Sequence, residues 1–249
     1  MDARVVSAGQ GWQWIVDGFA LFRKNPGIWI ALTVVVALLW GASFLVPVFG
    51  PLLFNLLFPV LFAGLMMGCQ ALEQGEELEL AHLFAGFRQH ASALVTIGGV
   101  YLVGTILVLG TVLVVSGGSM LAATLSKSPT DLQMIMGAMR SVMLGLLVGL
   151  AFYIPLIMLA WFAPLLVVFH GMAPVAAMKS SFSACLKNIV PFLIYGIVIV
   201  VLWVLASIPL LLGLLVLLPV IFCSIYASYK DIYSVGSVPA AGGDNPLLR

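Results

Sequence analysis

The sequence predicts an all-α integral membrane protein with about six transmembrane helices, and three observations carry this prediction. Of its 249 residues, 63% are hydrophobic and only 8% are charged, whereas soluble domains usually carry about 25% charged residues. The mean hydropathy of +1.22 exceeds what a water-soluble fold of this length could bury in its core. Several uncharged runs reach the roughly 20 residues that cross a bilayer. Three of these runs directly follow a short amphipathic stretch.

Six apolar runs are interpreted as spans. They cover residues 28–46, 52–72, 91–116, 141–168, 189–206 and 210–228. The first two spans are joined by residues 47–51, where two prolines and a glycine interrupt the helical pattern. The last two come from one uncharged run, residues 189–226, in which only residues 207–209 offer a turn. Two full spans fit its length, and a kinked pair of half-spanning helices is the alternative.

The positive charges predict the orientation in the membrane. With the N-terminus inside, the inner side carries Arg4, Arg23, Lys24, Arg88, Lys179, Lys187, Lys230 and Arg249. The outer side then carries only Lys127 and Arg140. Because cytoplasmic loops are enriched in Lys and Arg, both termini are expected to be cytoplasmic. Residues 1–235 are predicted to form a single polytopic membrane domain, and the Pro- and Gly-containing residues 236–249 a disordered tail.

The three amphipathic stretches have apolar residues at helical spacing. The sets are Trp12, Ile15, Val16 and Phe19; then Leu80, Leu83, Phe84 and Phe87; then Val175, Met178, Phe182 and Cys185. One apolar face opposite polar groups is typical of a helix that lies in the membrane interface. We therefore expect three interfacial helices on the cytoplasmic face.

An alignment of these stretches suggests a threefold internal repeat. When Lys24-Asn25, Gln89-His90 and Lys187-Asn188 are superposed, Phe19, Phe84 and Phe182 fall in register five residues upstream. The predicted units, each an interfacial helix followed by a transmembrane hairpin, cover about residues 9–72, 78–168 and 174–228. The alternative is that any loop between two spans becomes amphipathic and ends in a polar residue.

Basic and aromatic residues on this face form the predicted lipid-facing site. Its members are Phe19, Lys24, Phe84, Arg88, His170, Lys179, Phe182 and Lys187. His170 ends the fourth span, where a helix C-terminus favours the protonated imidazole. It could meet a lipid phosphate together with Lys179 and Lys187, and plain interfacial anchoring is the alternative.

The interiors of the spans argue against ion-coupled transport. They contain no Asp, Glu, Lys or Arg, the groups that proton relays and ion carriers place within the membrane. Asn55, close to Pro59, is the candidate cavity residue, because a proline frees a backbone carbonyl. The alternative for Asn55 is an interhelical hydrogen bond.

Catalytic and cofactor motifs are absent from the sequence. It has no P-loop, no GxGxxG and no GxSxG, and its net charge of +1 gives no basic surface for nucleic acid. The three cysteines lack the spacing of a zinc site or a disulfide framework. We therefore expect neither an enzyme nor a bound cofactor.

Two segments offer weak metal-binding alternatives. Glu79 and His82 match the Glu-x-x-His spacing of carboxylate-bridged metal sites, but a solvated acidic loop that also contains Glu73, Glu76 and Glu77 explains them better. Residues 134–139 contain three methionines, whose thioethers select Cu(I). The same residues are also typical of an amphipathic helix packed through methionine.

Three groups of residues carry a resemblance to a known family. They are Gly18-Phe19 with Lys24-Asn25-Pro26, then Pro174 with residues 176–180 and Asn188, and finally residues 224–233. Together they resemble a group of bacterial inner-membrane proteins of uncharacterised activity. That group is similar to the non-catalytic membrane domain of some glycerophosphodiester phosphodiesterases. The resemblance implies a six-span protein of the bacterial inner membrane, tied to envelope or lipid homeostasis, without the catalytic domain.

The function expected from the sequence is therefore non-enzymatic. We expect a protein that binds membrane lipids or a partner, either a membrane protein complex or a second copy of the chain, and that supports the envelope. The alternative is a transporter or channel for a neutral or amphipathic solute.

Overall fold

The computed structural model describes residues 3–125 and 132–233, and the side chains of residues 3–117 and 135–233. All secondary structure in these ranges is helical. The α-helices are α1 (Gln10–Phe22), α2 (Pro26–Ser43), α3 (Phe49–Gln74), α4 (Ala85–Arg88), α5 (Ala91–Leu125), α6 (Leu132–Ala160), α7 (Ala163–His170), α8 (Pro174–Lys187), α9 (Ile189–Ser207) and α10 (Leu214–Tyr233). A 3₁₀ helix, Leu80–Phe84, runs directly into α4, and we call these two elements together the 3₁₀–α4 segment.

Six helical segments are long and apolar enough to cross a membrane, as predicted. They are Pro26–Ser43, Phe49–Gln74, Ala91–Gly117, Ile135–His170, Ile189–Ser207 and Leu214–Tyr233. In chain order they form three hairpins: α2 with α3, α5 with α6, and α9 with α10. The all-α, six-span architecture is confirmed.

The fourth predicted span, residues 141–168, is interrupted. Helix α6 ends at Ala160, and α7 starts at Ala163 with Pro164 in its first turn. A proline there has no N–H to continue the hydrogen-bond ladder of α6. The backbone N–H of Phe162 instead donates to Ser181 Oγ, at 2.9 Å. Helix α6 also begins earlier than predicted, so the described part of the Met-rich segment belongs to this long helix.

The last apolar run forms two separate helices, as the favoured interpretation predicted. Their connection, residues 208–213, includes Leu210 and Leu211 with φ of 50° and 66°. Left-handed backbone at two consecutive residues cannot continue a right-handed helix. The final span therefore starts at Leu214, later than predicted, and it continues to Tyr233.

The buried core lies at one end of the helix bundle. Trp14, Trp29, Leu83 and Phe162 are at most 1% exposed. At the hairpin tips, by contrast, Leu45 is 83% exposed and Leu210 is 89% exposed. The packed end also holds both ends of the described chain, where the Arg4 N–H donates to the Ile232 carbonyl at 3.0 Å. We call this side of the molecule the terminal face.

Each short helical segment before a hairpin packs against the second helix of another hairpin. Helix α1 lies on α10, the 3₁₀–α4 segment lies on α3, and α8 lies on α6. Each of these three supporting helices contains an internal proline: Pro59 in α3, Pro155 in α6 and Pro219 in α10. The hairpins are thus linked in a cycle at the terminal face, because α1, which precedes the first hairpin, packs on α10 of the last hairpin.

Candidate functional site

The three helix crossings at the terminal face occur at equivalent positions. A Cβ on Gly18 would lie 2.6 Å from the Ser224 nitrogen, and one on Gly64 would lie 2.4 Å from the Leu83 carbonyl oxygen. At the third crossing, Ser181 Oγ donates to the Met158 carbonyl at 2.7 Å. Gly18, Leu83 and Ser181 each precede the superposed polar pair by six residues. Close approach of this kind needs small residues or a side chain that bonds the neighbouring backbone.

Small residues also recur on the supporting helices. Gly64, Ala160 and Ser224 each follow the internal proline of their helix by five residues. Gly64 and Ser224 lie at their crossings, and Ala160 is flanked by Met158 and Phe162, the two residues that Ser181 contacts. The small residue after the proline therefore lies at the crossing in the first and third hairpins, and in the second hairpin Ser181 bonds the residues on both sides of it.

Helix α1 has one face buried against α10. Its buried residues are Gly11, Trp14, Ile15, Gly18 and Phe22. The Trp14 indole ring packs against Phe192 of α9, with ring centroids 5.1 Å apart, and its N–H donates to Asp231 Oδ2 at 2.9 Å. The two flanks of α1 on either side of this buried face differ sharply in polarity.

One flank of α1 borders a charged crevice of about 520 Å³. The crevice is lined by Arg4, Gln10, Asp17, Ala20, Leu21, Lys24, Glu73, Tyr226, Ala227, Lys230 and Asp231. Arg4 is paired with Asp231 and Lys230 with Glu73, while the Tyr226 hydroxyl donates to Glu73 at 2.9 Å. The charges of α3, α10 and the segment before α1 are thereby tied together at the terminal face.

The other flank of α1 borders an apolar groove of about 430 Å³, which we call the α1–α9 groove. It is lined by Trp12, Ile15, Val16, Phe19, Leu202, Leu205, Ala206, Gly213, Val216, Leu217 and Val220. Trp12 and Phe19 are 53% and 44% exposed. Helix α1 therefore separates a charged crevice from an apolar groove.

A larger apolar groove, the lateral groove, lies between α6 and α9 and has a volume of about 1030 Å³. Its lining includes Ile154, Met158, Trp161, Cys185, Phe192, Leu193, Gly196 and Val200. Cys185 of α8 is 5% exposed, and burial raises the pKa of its thiol to about 12. The thiol is therefore neutral at physiological pH and presents an apolar surface to the groove.

The structure distributes the predicted site residues over several places. Phe19 faces the α1–α9 groove, whereas Lys24 lines the charged crevice and donates to the Leu72 carbonyl at 3.0 Å. Phe84 and Arg88 are exposed on the 3₁₀–α4 segment. The predicted residues thus surround the terminal face without forming one cluster.

The remaining predicted residues lie near α8 and α7. Lys179 and Lys187 are exposed on α8, and Phe182 is half-buried. The His170 ring nitrogen Nε2 lies 2.6 Å from the Tyr229 hydroxyl, so this imidazole is engaged with α10. Asn55 is half-buried in the first half of α3, next to Leu56, where α3 packs closely on Gly98 of α5.

The sequence interpretation missed the charged crevice. The interpretation as a solvated acidic loop is wrong for Glu73, which lies in the last turn of α3 and pairs with Lys230. The available signal was Tyr226 and Lys230, four residues apart and so on one face of the last helix. The Glu79–His82 spacing has a local explanation, because the Glu79 N–H donates to His82 Nδ1 at 3.0 Å in a capping box.

Comparison with known proteins gives one informative relative. No protein-family profile matches the chain, and no solved structure matches it. The chain is 30% identical over 251 aligned positions to a protein of Burkholderia thailandensis described as a probable inner membrane protein. The match covers 92% of this chain and 93% of that protein. This degree of identity over nearly both full lengths, together with the six apolar helices, places the chain in the inner membrane as a multi-pass protein and in the same family as that Burkholderia protein.

Proposed function

We propose that the protein is a non-enzymatic lipid-binding protein of the inner membrane, and that its terminal face lies in the cytoplasmic interface. The observation that carries this proposal is the contrast between the two flanks of α1. A helix with one charged and one apolar flank is typical of an interfacial element whose apolar side enters the acyl region.

The position of α1 on α10 supports an interfacial location. The α1–α9 groove is lined by Val216, Leu217 and Val220, which precede the crossing at Ser224. The charged crevice is lined by Tyr226, Lys230 and Asp231, which follow it. Because charged groups are expensive within the hydrocarbon, the boundary between hydrocarbon and water should run along α1.

The distribution of charge supports a cytoplasmic terminal face. Lys24, Arg88 and Lys187 belong to the connecting segments at the packed end of the bundle, beside both chain ends. A surplus of Lys and Arg marks the cytoplasmic side of inner-membrane proteins. The same charges would attract the anionic headgroups of that leaflet.

The grooves favour lipid binding over solute transport. The α1–α9 groove and the lateral groove are lined mainly by apolar side chains of transmembrane helices, together with side chains of α1 and α8. A pathway for a polar solute would need polar groups at that depth.

The test compares two neighbouring substitutions on opposite flanks of α1. Phe19→Asp puts a charge into the α1–α9 groove, while Ala20→Asp puts the same charge into the charged crevice. The measurement is the phospholipid retained per protein after detergent purification, followed by solute efflux from reconstituted vesicles. Phe19→Asp should reduce the retained lipid, and Ala20→Asp should leave it unchanged.

The opposite results would overturn the proposal. Equal lipid retention in both variants would show that the apolar flank of α1 does not bind lipid. Reproducible flux of a defined solute through vesicles containing the purified protein would replace the proposal with the transporter alternative.

A further inference from the structure

The lateral groove has the length of one membrane leaflet. Its wall on α9 extends from Ile189 to Val201, a rise of about 18 Å at the usual helical pitch. One leaflet contributes about 15 Å to the hydrocarbon core. The groove begins near the terminal face, at Cys185 and Ile189, and so reaches roughly to the middle of the bilayer.

The wall on α9 is formed by residues that the protein itself leaves uncovered. Leu193, Ile197 and Val200 are 61%, 57% and 64% exposed, although each is a large aliphatic side chain. Within a membrane-spanning helix these side chains contact lipid, since bilayer lipid is the solvent there. Because the groove is concave, a flexible acyl chain can contact it over a larger area than it can contact a convex helix surface.

Aromatic rings line the part of the groove nearest the terminal face. Trp161 packs edge-on against Phe192 and Tyr195, with ring centroids 5.9 and 6.4 Å apart. The polar atom of Tyr195 is turned to Ser224, with the two hydroxyl oxygens 2.7 Å apart. Apart from the buried Trp161 indole N–H, which has no partner among the described residues, the lining offers mostly carbon surface, which matches a hydrocarbon chain.

A positive charge lies at this same end. Lys187 does not belong to the lining, but in sequence it is two residues from both Cys185 and Ile189, which do line the groove. Its side chain is exposed, and its ammonium group is 3.4 Å from the carbonyl oxygen of Ala3. The ammonium group carries three donors, so a phosphate at the membrane surface would find both charge and hydrogen bonds there.

We propose that the lateral groove binds one glycerophospholipid of the leaflet at the terminal face, with an acyl chain along α9 and the phosphate at Lys187. This inference rests on the proposed lipid-binding function and assigns it a site and a ligand class. A glycerophospholipid carries a phosphate at one end and acyl chains that extend through one leaflet, so it matches both the lysine and the apolar groove.

The test uses a matched pair of glycine substitutions. Gly196 lines the lateral groove, and a Cβ there would meet no atom within 4 Å. Gly196→Leu therefore fills the groove without a backbone clash. Gly110 in α5 also has open space around its Cβ position, and it does not contribute to the lining of the lateral groove, so Gly110→Leu is the control.

The probe is a phosphatidylglycerol, an anionic phospholipid, with a diazirine at the middle of one acyl chain, added in trace amount to the full-length protein in detergent. After irradiation, labelled peptides are identified by mass spectrometry. The label should concentrate on residues 154–161 and 189–201. Gly196→Leu should reduce it by about tenfold or more, since displacing a few buried methylene groups removes that much affinity. Gly110→Leu should have no effect.

The headgroup is tested with a diacylglycerol probe that lacks the phosphate. Wild-type protein should prefer the phospholipid probe by about fivefold, the contribution of one lysine near an anionic lipid surface. Lys187→Gln should remove this preference, and Lys187→Arg should keep it.

Each contrary outcome points to a different failure. Equal labelling of Gly196→Leu and wild-type protein, or even labelling of all spans, would overturn the groove assignment while leaving the lipid retention of Phe19→Asp as a separate test of the function. If the groove is unlabelled and a membrane protein co-purifies stably, a transmembrane helix of that protein occupies the groove. That result would overturn the assignment of a phospholipid as the occupant. No preference for the phosphate would overturn the role of Lys187.

Discussion

Gly18 of α1 lies directly against the backbone of Ser224 in α10. A Cβ on Gly18 would be 2.6 Å from the Ser224 nitrogen and 2.7 Å from its Cα. These are backbone atoms of a helix, so neither can rotate away as a side chain would. The crossing fixes the depth at which α1 lies on α10, and hence which residues face the charged crevice and which face the α1–α9 groove.

A single methyl group at this crossing should destabilise the protein. Gly18→Ala forces α1 away from α10, at a cost of about 1–3 kcal/mol for overpacking a tight contact. Gly27→Ala in the first turn of α2 is the control, because a Cβ there meets nothing within 4 Å. Thermal unfolding in detergent should show a lower midpoint for Gly18→Ala alone. Equal midpoints would show that the crossing is looser than described.

Asn188 should be important for holding the first residues of the chain. Its Oδ1 accepts from the Val6 N–H at 2.9 Å, and its Nδ2 donates to the carbonyls of Arg4 and Ala184 at 3.0 and 2.9 Å. The side chain is 1% exposed. Asn188→Ala leaves these backbone groups unsatisfied, which should cost about 1–3 kcal/mol.

The measurement for Asn188 is hydrogen exchange of residues 3–8. Exchange there should be faster in Asn188→Ala than in wild-type protein. Asn25, which the alignment superposes on Asn188, accepts only one bond, from the Ile28 N–H at 3.4 Å. Asn25→Ala is the matched control and should leave exchange at residues 3–8 unchanged. Slow exchange in both variants would show that the Asn188 side chain does not hold residues 3–8 in place.

The spans were predictable from sequence because length and hydropathy alone identify a transmembrane helix. The fourth span is present, but its continuity differs from the prediction because a tertiary contact decides it: the Phe162 N–H bonds Ser181 where α6 ends and α7 begins. The charged crevice was missed for a related reason. Glu73 and Lys230 are 157 residues apart, and no local pattern shows that the ends of α3 and α10 meet. A proline followed five residues later by a small residue occurs in three of the apolar runs of the sequence. The helix crossings in the structure are needed to explain why the small residue is there.

The two carboxylates of the charged crevice should differ in importance. The Asp231 side chain is 17% exposed and bonds both Arg4 and the buried Trp14 indole. The Glu73 side chain is 40% exposed and pairs with Lys230, itself 46% exposed. Asp231→Ala should cost about 1–3 kcal/mol because it leaves the Trp14 N–H unsatisfied. Glu73→Ala removes an exposed ion pair, which is usually worth less than about 1 kcal/mol. It also removes the acceptor of the Tyr226 hydroxyl, but that side chain lines the crevice, where water can replace the carboxylate. The total loss should therefore be smaller than for Asp231→Ala.

Thermal unfolding of both alanine variants at low and high salt checks this order. The loss of unfolding free energy in Glu73→Ala should become smaller at high salt, because salt screens exposed charges. The loss in Asp231→Ala should change little. A larger loss for Glu73→Ala than for Asp231→Ala would contradict the assignment of Asp231 as the more important residue.

Cys185 should be almost inert towards maleimides in the folded protein. The thiolate is the reactive form, and a pKa of about 12 leaves only about one thiol in 10⁴ ionised at pH 8, far below the fraction of a free cysteine. Because the folded pKa is raised, reactivity should increase steadily as pH rises from 8 to 10. Alkylation followed by mass spectrometry should detect labelling of Cys185 only after denaturation. Rapid labelling at pH 7 would show that the groove is open to water at that point.

The orientation of the terminal face can be tested because the native cysteines are all buried. Cys69, Cys185 and Cys223 are at most 5% exposed, so a membrane-impermeant maleimide should leave the wild-type protein unlabelled. Arg88→Cys and Lys187→Cys place a thiol on the terminal face, and Arg140→Cys places one near the start of α6 in the second hairpin; all three positions are exposed.

If the positive charges fix the orientation, intact cells should label Arg140→Cys alone. The two terminal-face variants should react only after the inner membrane is permeabilised. The reverse pattern would place the charged crevice and both ends of the described chain outside. It would also remove the attraction to anionic cytoplasmic lipid on which the proposed role of Lys187 depends, because that surface potential belongs to the cytoplasmic leaflet.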